Sequence, residues 1–178
     1  MQYGPLKIRY YGDPCLETRS RPVKVVGPVE RMLIAAMFET MVASRGVGLA
    51  APQVGINEQI FVVDTGKEIF AAINPRIIKI AGSEVMEEGC LSIPRVLVDI
   101  KRAKNVWVEF TDEENRVVRA QLNGLAAKVF QHEYDHLQGK LILDYLNPKD
   151  RARIVSQIKN GSYTGNVLGG ENVNKSKV

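Results

Sequence analysis

The sequence predicts a single compact α+β domain: antiparallel β-sheets around a central helix, a second helix in the N-terminal half and a third near the C-terminus. Three observations predict it. Short runs rich in Val, Ile and Phe fill residues 59–122 without long helices between them, which argues against a doubly wound parallel sheet. Apolar residues recur at helical spacing over 28–44. A further helical stretch after the last strand-like run carries both histidines of the chain, His132 and His136.

The elements follow in order. Val29, Met32, Leu33, Ala36, Met37, Thr40 and Met41 make one apolar stripe, read as core and not as a cofactor box. Pro28 suits the first turn of that helix, and Gly46 suits an end just past Arg45. Strand-like runs follow at 59–64, 69–73, 76–80, near 95–100, at 105–110 and at 116–122. Thr65-Gly66, Asn74-Pro75, Ala81-Gly82 and Asp112-Glu113-Glu114-Asn115 read as the turns between them, the last closing an antiparallel hairpin. The second helix runs from Asn123, a good N-cap, to about Gln138, with Gly139 as its stop. The last starts at Asn147-Pro148 and ends at Asn160-Gly161.

With 178 residues, 45% hydrophobic and 25% charged, the chain can bury one ordinary core. Residues 1–160 are expected to form the folded unit, and 161–178 a polar, Gly- and Asn-rich flexible tail. No apolar run approaches the roughly 18–20 residues that span a bilayer, and the first residues lack the apolar segment of a secretory leader. The expectation is a cytoplasmic protein with no membrane and no DNA partner. Cys15 and Cys90 are then expected to stay reduced. The net charge of +4 is concentrated at the end: Lys149, Arg151, Arg153, Lys159, Lys175 and Lys177 face only Asp150 and Glu171 over 148–178. Such a cluster is either a solvated helix face with a polar tail or a contact for an acidic partner such as RNA.

His132-Glu133-Tyr134-Asp135-His136 is an H-E-x-x-H match on the second helix. Residues four apart share a helix face, so both imidazoles reach one cation, while Glu133 projects beside it as a base for water. The third ligand has to be sought elsewhere. The run HEYDHLQGKLI resembles the metzincin pattern as far as Gly139, but Ile142 stands where a third His belongs. The first glutamate after Glu133 is Glu171, in the tail. Cys90 is the remaining good candidate, since thiolates bind iron and zinc well; the other reading of a lone Cys is a small buried apolar residue.

Glu88-Gly89-Cys90-Leu91-Ser92 resembles the E-G-C-L-S motif of peptide deformylases. The segment 46–53, GVGLAAPQ, resembles their G-x-G-L-A-A-x-Q motif, and HEYDH their H-E-x-D-H. The three stand in the family's order, and the likeness extends over about residues 5–158. After the Cys motif, many relatives continue with Gly and then a Pro-Arg pair. Here the chain reads Arg95 to Arg102 as RVLVDIKR, which leaves open whether Arg95 or Arg102 touches substrate.

The resemblance implies a metal-dependent hydrolase that removes the N-formyl group from the N-formylmethionine of nascent polypeptides and releases formate. Cys90, His132 and His136 would hold one divalent metal ion, Fe(II) in the cell, with Zn, Ni or Co able to replace it. Glu133 would serve as general base and then acid for a metal-bound water. Gln53, through its side-chain amide, and the backbone N–H of Leu91 would donate to the oxyanion. Gly46, Val47 and Gly48 would line the peptide site, and Leu125 and Val129 the methionine pocket. Two rival readings share some of these features. A zinc endopeptidase also uses H-E-x-x-H, and a non-catalytic metal-stabilised domain would bind RNA through the basic end. Where the family's substrates emerge, contact of the C-terminal helix with the ribosome is a further expectation.

Overall fold

The computed structural model describes residues 5–161. The expected tail therefore lies, but for Gly161, outside the described residues. Among the described residues three α-helices and seven β-strands occur, in the order α1 (Pro28–Ala43), β1 (Gly48–Ala50), β2 (Ile60–Asp64), β3 (Ile69–Ala81), β4 (Glu84–Cys90), β5 (Ile93–Arg102), β6 (Asn105–Thr111), β7 (Val117–Asn123), α2 (Gly124–Leu137) and α3 (Pro148–Lys159); the three helices are the expected ones, and β1 and β4 add to the expected strands. Every pairing between these strands is antiparallel, as expected, and one isolated parallel bridge joins Arg21 to Glu58. One sheet has the order β1-β2-β3-β6-β7, and β4 pairs with β5 in a separate two-stranded sheet.

α2 lies on the five-stranded sheet. Ala126, Ala127, Val129, Phe130 and Leu137 pack there against Phe61, Val63, Val106, Val108 and Phe110. Phe130 meets Phe61 edge-on, with ring centroids 5.0 Å apart. α1 packs on β1 and β2 through Ile34, Met37 and Met41. The β4–β5 sheet closes the third cluster, where Ile93, Val96, Val98 and Ile100 meet Leu16, Leu143 and Ile154 of α3. Asn147 caps α3 by accepting the Asp150 N–H at 2.9 Å.

Several expectations need correction. Asn74-Pro75 is not a turn: 69–73 and 76–80 belong to one strand, β3, with a register shift between Ile73 and Arg76. Asn74 takes a φ of 51°, and its amide bonds both the N–H and the C=O of Val23, at 2.9 and 2.7 Å. The proline thus sits at an irregularity where its missing donor costs no ladder bond. The stripe on α1 holds at Ala36, Met37, Thr40 and Met41 but not at its first residue. Val29, in the first turn, is 73% exposed, while Ile34, outside the expected stripe, is buried. Asn123 occupies the N-cap position of α2, yet its side chain caps nothing; β7 runs straight into the helix through Gly124 at φ 56°. Gly139 does end α2's turn, at φ 72°, and a Cβ there would lie 2.5 Å from the Glu17 carbonyl oxygen.

Candidate active site

The site is built where β4, α2 and the segment after α1 meet. α2 turns His132 and His136 to one side, with ring centroids 5.0 Å apart. Cys90 ends β4 at a register shift, pairing with Ile93 while the preceding Gly89 pairs with Leu97. Such a bulge re-aims a side chain, and here it brings the Cys90 Sγ to 3.3 Å from His136 Nε2. The donor atoms of Cys90, His132 and His136 all lie within 4.8 Å of one another. A tetrahedral ion bonded at about 2.3 Å to sulfur and about 2.0 Å to nitrogen sets those two atoms roughly 3.5 Å apart, so the donor set fits a single cation.

Electrostatics agree with that fit. Burial opposes ionisation of the Cys90 thiol, but the imidazoles of His136 and His132 outweigh it and hold the thiol well below its ordinary range. Burial likewise disfavours a charged His132, yet the Cys90 sulfur and the Glu88 carboxylate raise it well above its ordinary value. Thiolate and imidazolium thus sustain each other, and a cation can take the place of the protons between them. Glu133 behaves differently. It is 3% exposed, and its Oε2 is buried with no hydrogen-bond partner among the described residues. Burial pushes its carboxyl from the ordinary 4.5 up to about 7, with the negative Cys90 and Glu88 adding to the rise and the His rings opposing it.

A second ring of residues steadies the first. Glu88 Oε2 lies 3.0 Å from His132 Nδ1, which leaves Nε2 of that ring to face the other donors. Arg102 forks onto both oxygens of Glu88, at 2.7 and 2.9 Å, and reaches Asp135 at 2.6 Å and the Tyr145 hydroxyl at 2.8 Å. Tyr145 in turn donates to Asp135 at 2.7 Å. Arg102 is buried in this network and does not face the groove, which removes it as a substrate contact. Asp135 orients Arg102 and Tyr145. Neither Glu88 nor Tyr145 carried a role on sequence grounds, although Glu88 opens the Cys motif.

Gln53 follows β1 in a short turn and is 1% exposed. Its Oε1 accepts from the Ala50 N–H at 2.8 Å, which fixes the amide so that Nε2 points to Ser92 Oγ at 3.3 Å and Cys90 Sγ at 3.5 Å. Two glycines permit the close approach of this wall. A Cβ on Gly48 would lie 2.7 Å from Val129 Cγ1 and overlap the Glu133 carboxylate. One on Gly46 would lie 2.8 Å from Leu91 Cδ1, which packs directly on that glycine. The groove encloses about 480 Å³ and takes in Gly46, Val47, Gly48, Gln53, Cys90, Leu91, Leu125, Val129, His132 and Glu133. His136 lies behind Cys90, 1% exposed and off the groove wall. Leu125 is 46% exposed at the mouth. Lys128, absent from the expected lining, is buried beside Val129 with its ammonium on Glu84.

Comparison with known proteins gives the family. The polypeptide deformylase family profile matches residues 5–152. The peptide deformylase of Thermotoga maritima is 47% identical over 146 residues, covering 82% of this chain and 89% of that protein. Among solved structures, the peptide deformylase of Legionella pneumophila superposes with a TM-score of 0.84 at 36% identity, over 89% of this chain and 95% of that one. The Synechococcus elongatus enzyme in complex with actinonin gives 0.82 at 37% identity, over 92% and 90%. A match of that length, joined to this set of donors, means that the chain belongs to the polypeptide deformylase family.

Proposed function

We propose that this protein hydrolyses the N-formyl group from N-formylmethionine at the start of nascent polypeptides, releasing formate and a free α-amino group. The observation that carries the reading is the convergence of Cys90, His132 and His136 beside the buried carboxyl of Glu133. Cys90, His132 and His136 would hold one divalent ion, which supplies Lewis acidity and makes water a usable nucleophile near neutral pH. Fe(II) is the proposed metal in the cell, with Zn, Ni or Co in purified protein; a thiolate with two imidazoles suits all of them. Glu133, with a carboxyl raised to about 7, takes the proton from the attacking water and returns it to the departing amine. Gln53 Nε2 and the Leu91 N–H donate to the formyl oxygen as it gains charge. Gly46, Val47 and Gly48 lie along the peptide backbone, and Leu125 and Val129 receive the methionine side chain. A zinc endopeptidase is not favoured, because the match is to deformylases over most of the chain.

The test is formate release from formyl-Met-Ala-Ser by anaerobically purified protein, with metal content measured on the same sample. Formate in step with bound metal is expected. Internal peptide cleavage without formate would sink the proposal.

A cytoplasmic setting fits this substrate, and among the described residues no helix is long and apolar enough to cross a membrane. Contact with the ribosome through α3 is proposed on its charge: the helix buries Ile154 and leaves Lys149, Arg153 and Lys159 exposed. Neutralising these three and Arg151 is expected to abolish co-sedimentation with ribosomes; binding that is indifferent to the change removes the idea.

A further inference from the structure

Two arginines border the groove, Arg45 after α1 and Arg95 in β5. Arg45 directly precedes Gly46, which packs on the Leu91 side chain, and Arg95 lies in β5 at the register shift that follows the β4–β5 turn. Both are exposed, and both line the same cavity as Cys90 and Glu133. Both also have left-handed backbone, with φ of 57° and 68°, where glycine or asparagine fits better than a long side chain. Unfavourable backbone kept at two places on one groove points to a use for the side chains.

The other charges around the groove do not cancel this pair. Lys128 is bound to Glu84, and Glu88 is taken up by Arg102 and His132. Glu133 sits at the floor, buried. Only Glu87 remains on the rim as an exposed acid, whereas Arg45 and Arg95 take part in no ion pair among the described residues. A peptide held in this cavity would extend within reach of both guanidinium groups, which pair with carboxylates through a planar fork.

We infer that Arg45 and Arg95 make this groove select formylated chains with Asp or Glu in the residues just after the first. The inference rests on the deformylase reading and adds to it a substrate class: acidic N-termini are processed ahead of basic ones. Because both guanidiniums are exposed, the effect is modest and salt-sensitive.

The experiment uses metal-loaded full-length protein and formyl-Met peptides with amidated ends, carrying Asp, Asn or Lys in turn at the second and third residues. The readout is the ratio of kcat/KM values, which is independent of how much enzyme is active. At low salt, Asp is expected to exceed Lys by about fivefold, with Asn between, and the gap to close near 0.5 M salt. Arg45→Gly with Arg95→Gly removes both charges while suiting the backbone, and the ratio should fall to near one. A flat or reversed order, or a gap that survives both substitutions or high salt, overturns the inference while the deformylase reading stands. Failure to release formate from any of the peptides overturns both together.

Discussion

Glu133→Gln is expected to lower kcat by about three orders of magnitude, within the roughly 10²–10⁴ that positioned acid–base groups contribute. Glutamine keeps the shape and cannot accept the proton. Metal content should be unchanged, since the three donors of the site do not include Glu133. Stability gives an independent check on the same residue. Its folded-state carboxyl is raised from 4.5 to about 7 by burial, so the native form holds a proton that the unfolded chain releases. Metal-free protein therefore loses stability as pH rises from 4.5 through 7, and at pH 8 the Gln variant should melt higher than the parent. Below 4.5 the difference should vanish. Formate release undiminished in a metal-replete variant would mean that another group moves the proton.

Arg102→Ala is the substitution expected to harm the fold most. Its guanidinium is 4% exposed and holds Glu88 and Asp135 at 2.7 and 2.6 Å. Removing it leaves Asp135 with only the Tyr145 hydroxyl and Glu88 with only His132, both carboxylates largely shielded from water, a loss of about 3 kcal/mol. For a chain of this size that is a fall in melting temperature of roughly 10 °C. Glu88 also orients His132, so metal affinity should drop about 10- to 100-fold in the same variant. Lysine at 102 should recover only part of this, because a point charge cannot fork onto Glu88 while reaching Asp135 and Tyr145. The acid limb of stability carries the same signature. Burial pushes the Glu88 carboxyl up, but Arg102 and His132 more than offset it and hold it at about 2, below the ordinary 4.5. Stability from this group is full above 4.5 and is lost as pH falls toward 2. Melting curves at pH 7 and pH 3 should thus differ less for Arg102→Ala than for the parent. An equal difference would show that Arg102 does not set the state of Glu88.

What could be read in the text of the chain follows the range of the interactions. His132 and His136 are four residues apart on one helix, and that spacing alone brings their rings together. Cys90 was identified because no other good donor remained and because its motif is distinctive. Glu88 and His132 meet across 44 residues, and Arg102 and Asp135 across 33, so no local pattern announces either contact. Whether Arg102 touches substrate stays open in the sequence for the same reason: its partners, Glu88 and Asp135, are distant in the chain. β4 was missed because it alternates half-buried with exposed positions and carries three glutamates, which lowers its strand signal. Proline at 75 suggested a break, and only the pairing of Asn74 with a distant segment explains why the strand continues through it. Val29 was placed inward by spacing, since periodicity gives the phase of a stripe and not where along the helix the sheet begins.

The two asparagines in left-handed backbone have a consequence for how the molecule is made. Asn74 holds Val23, and Asn115, at φ 63°, holds Val26 in the same two-point manner, at 2.8 and 3.0 Å. These fastenings reach forward by 51 and 89 residues. A polypeptide growing from its first residue cannot close the first until residue 74 of its 178 has been added, nor the second until residue 115. The segment leading into α1 must wait, unfastened, while each hairpin downstream folds on neighbours already at hand.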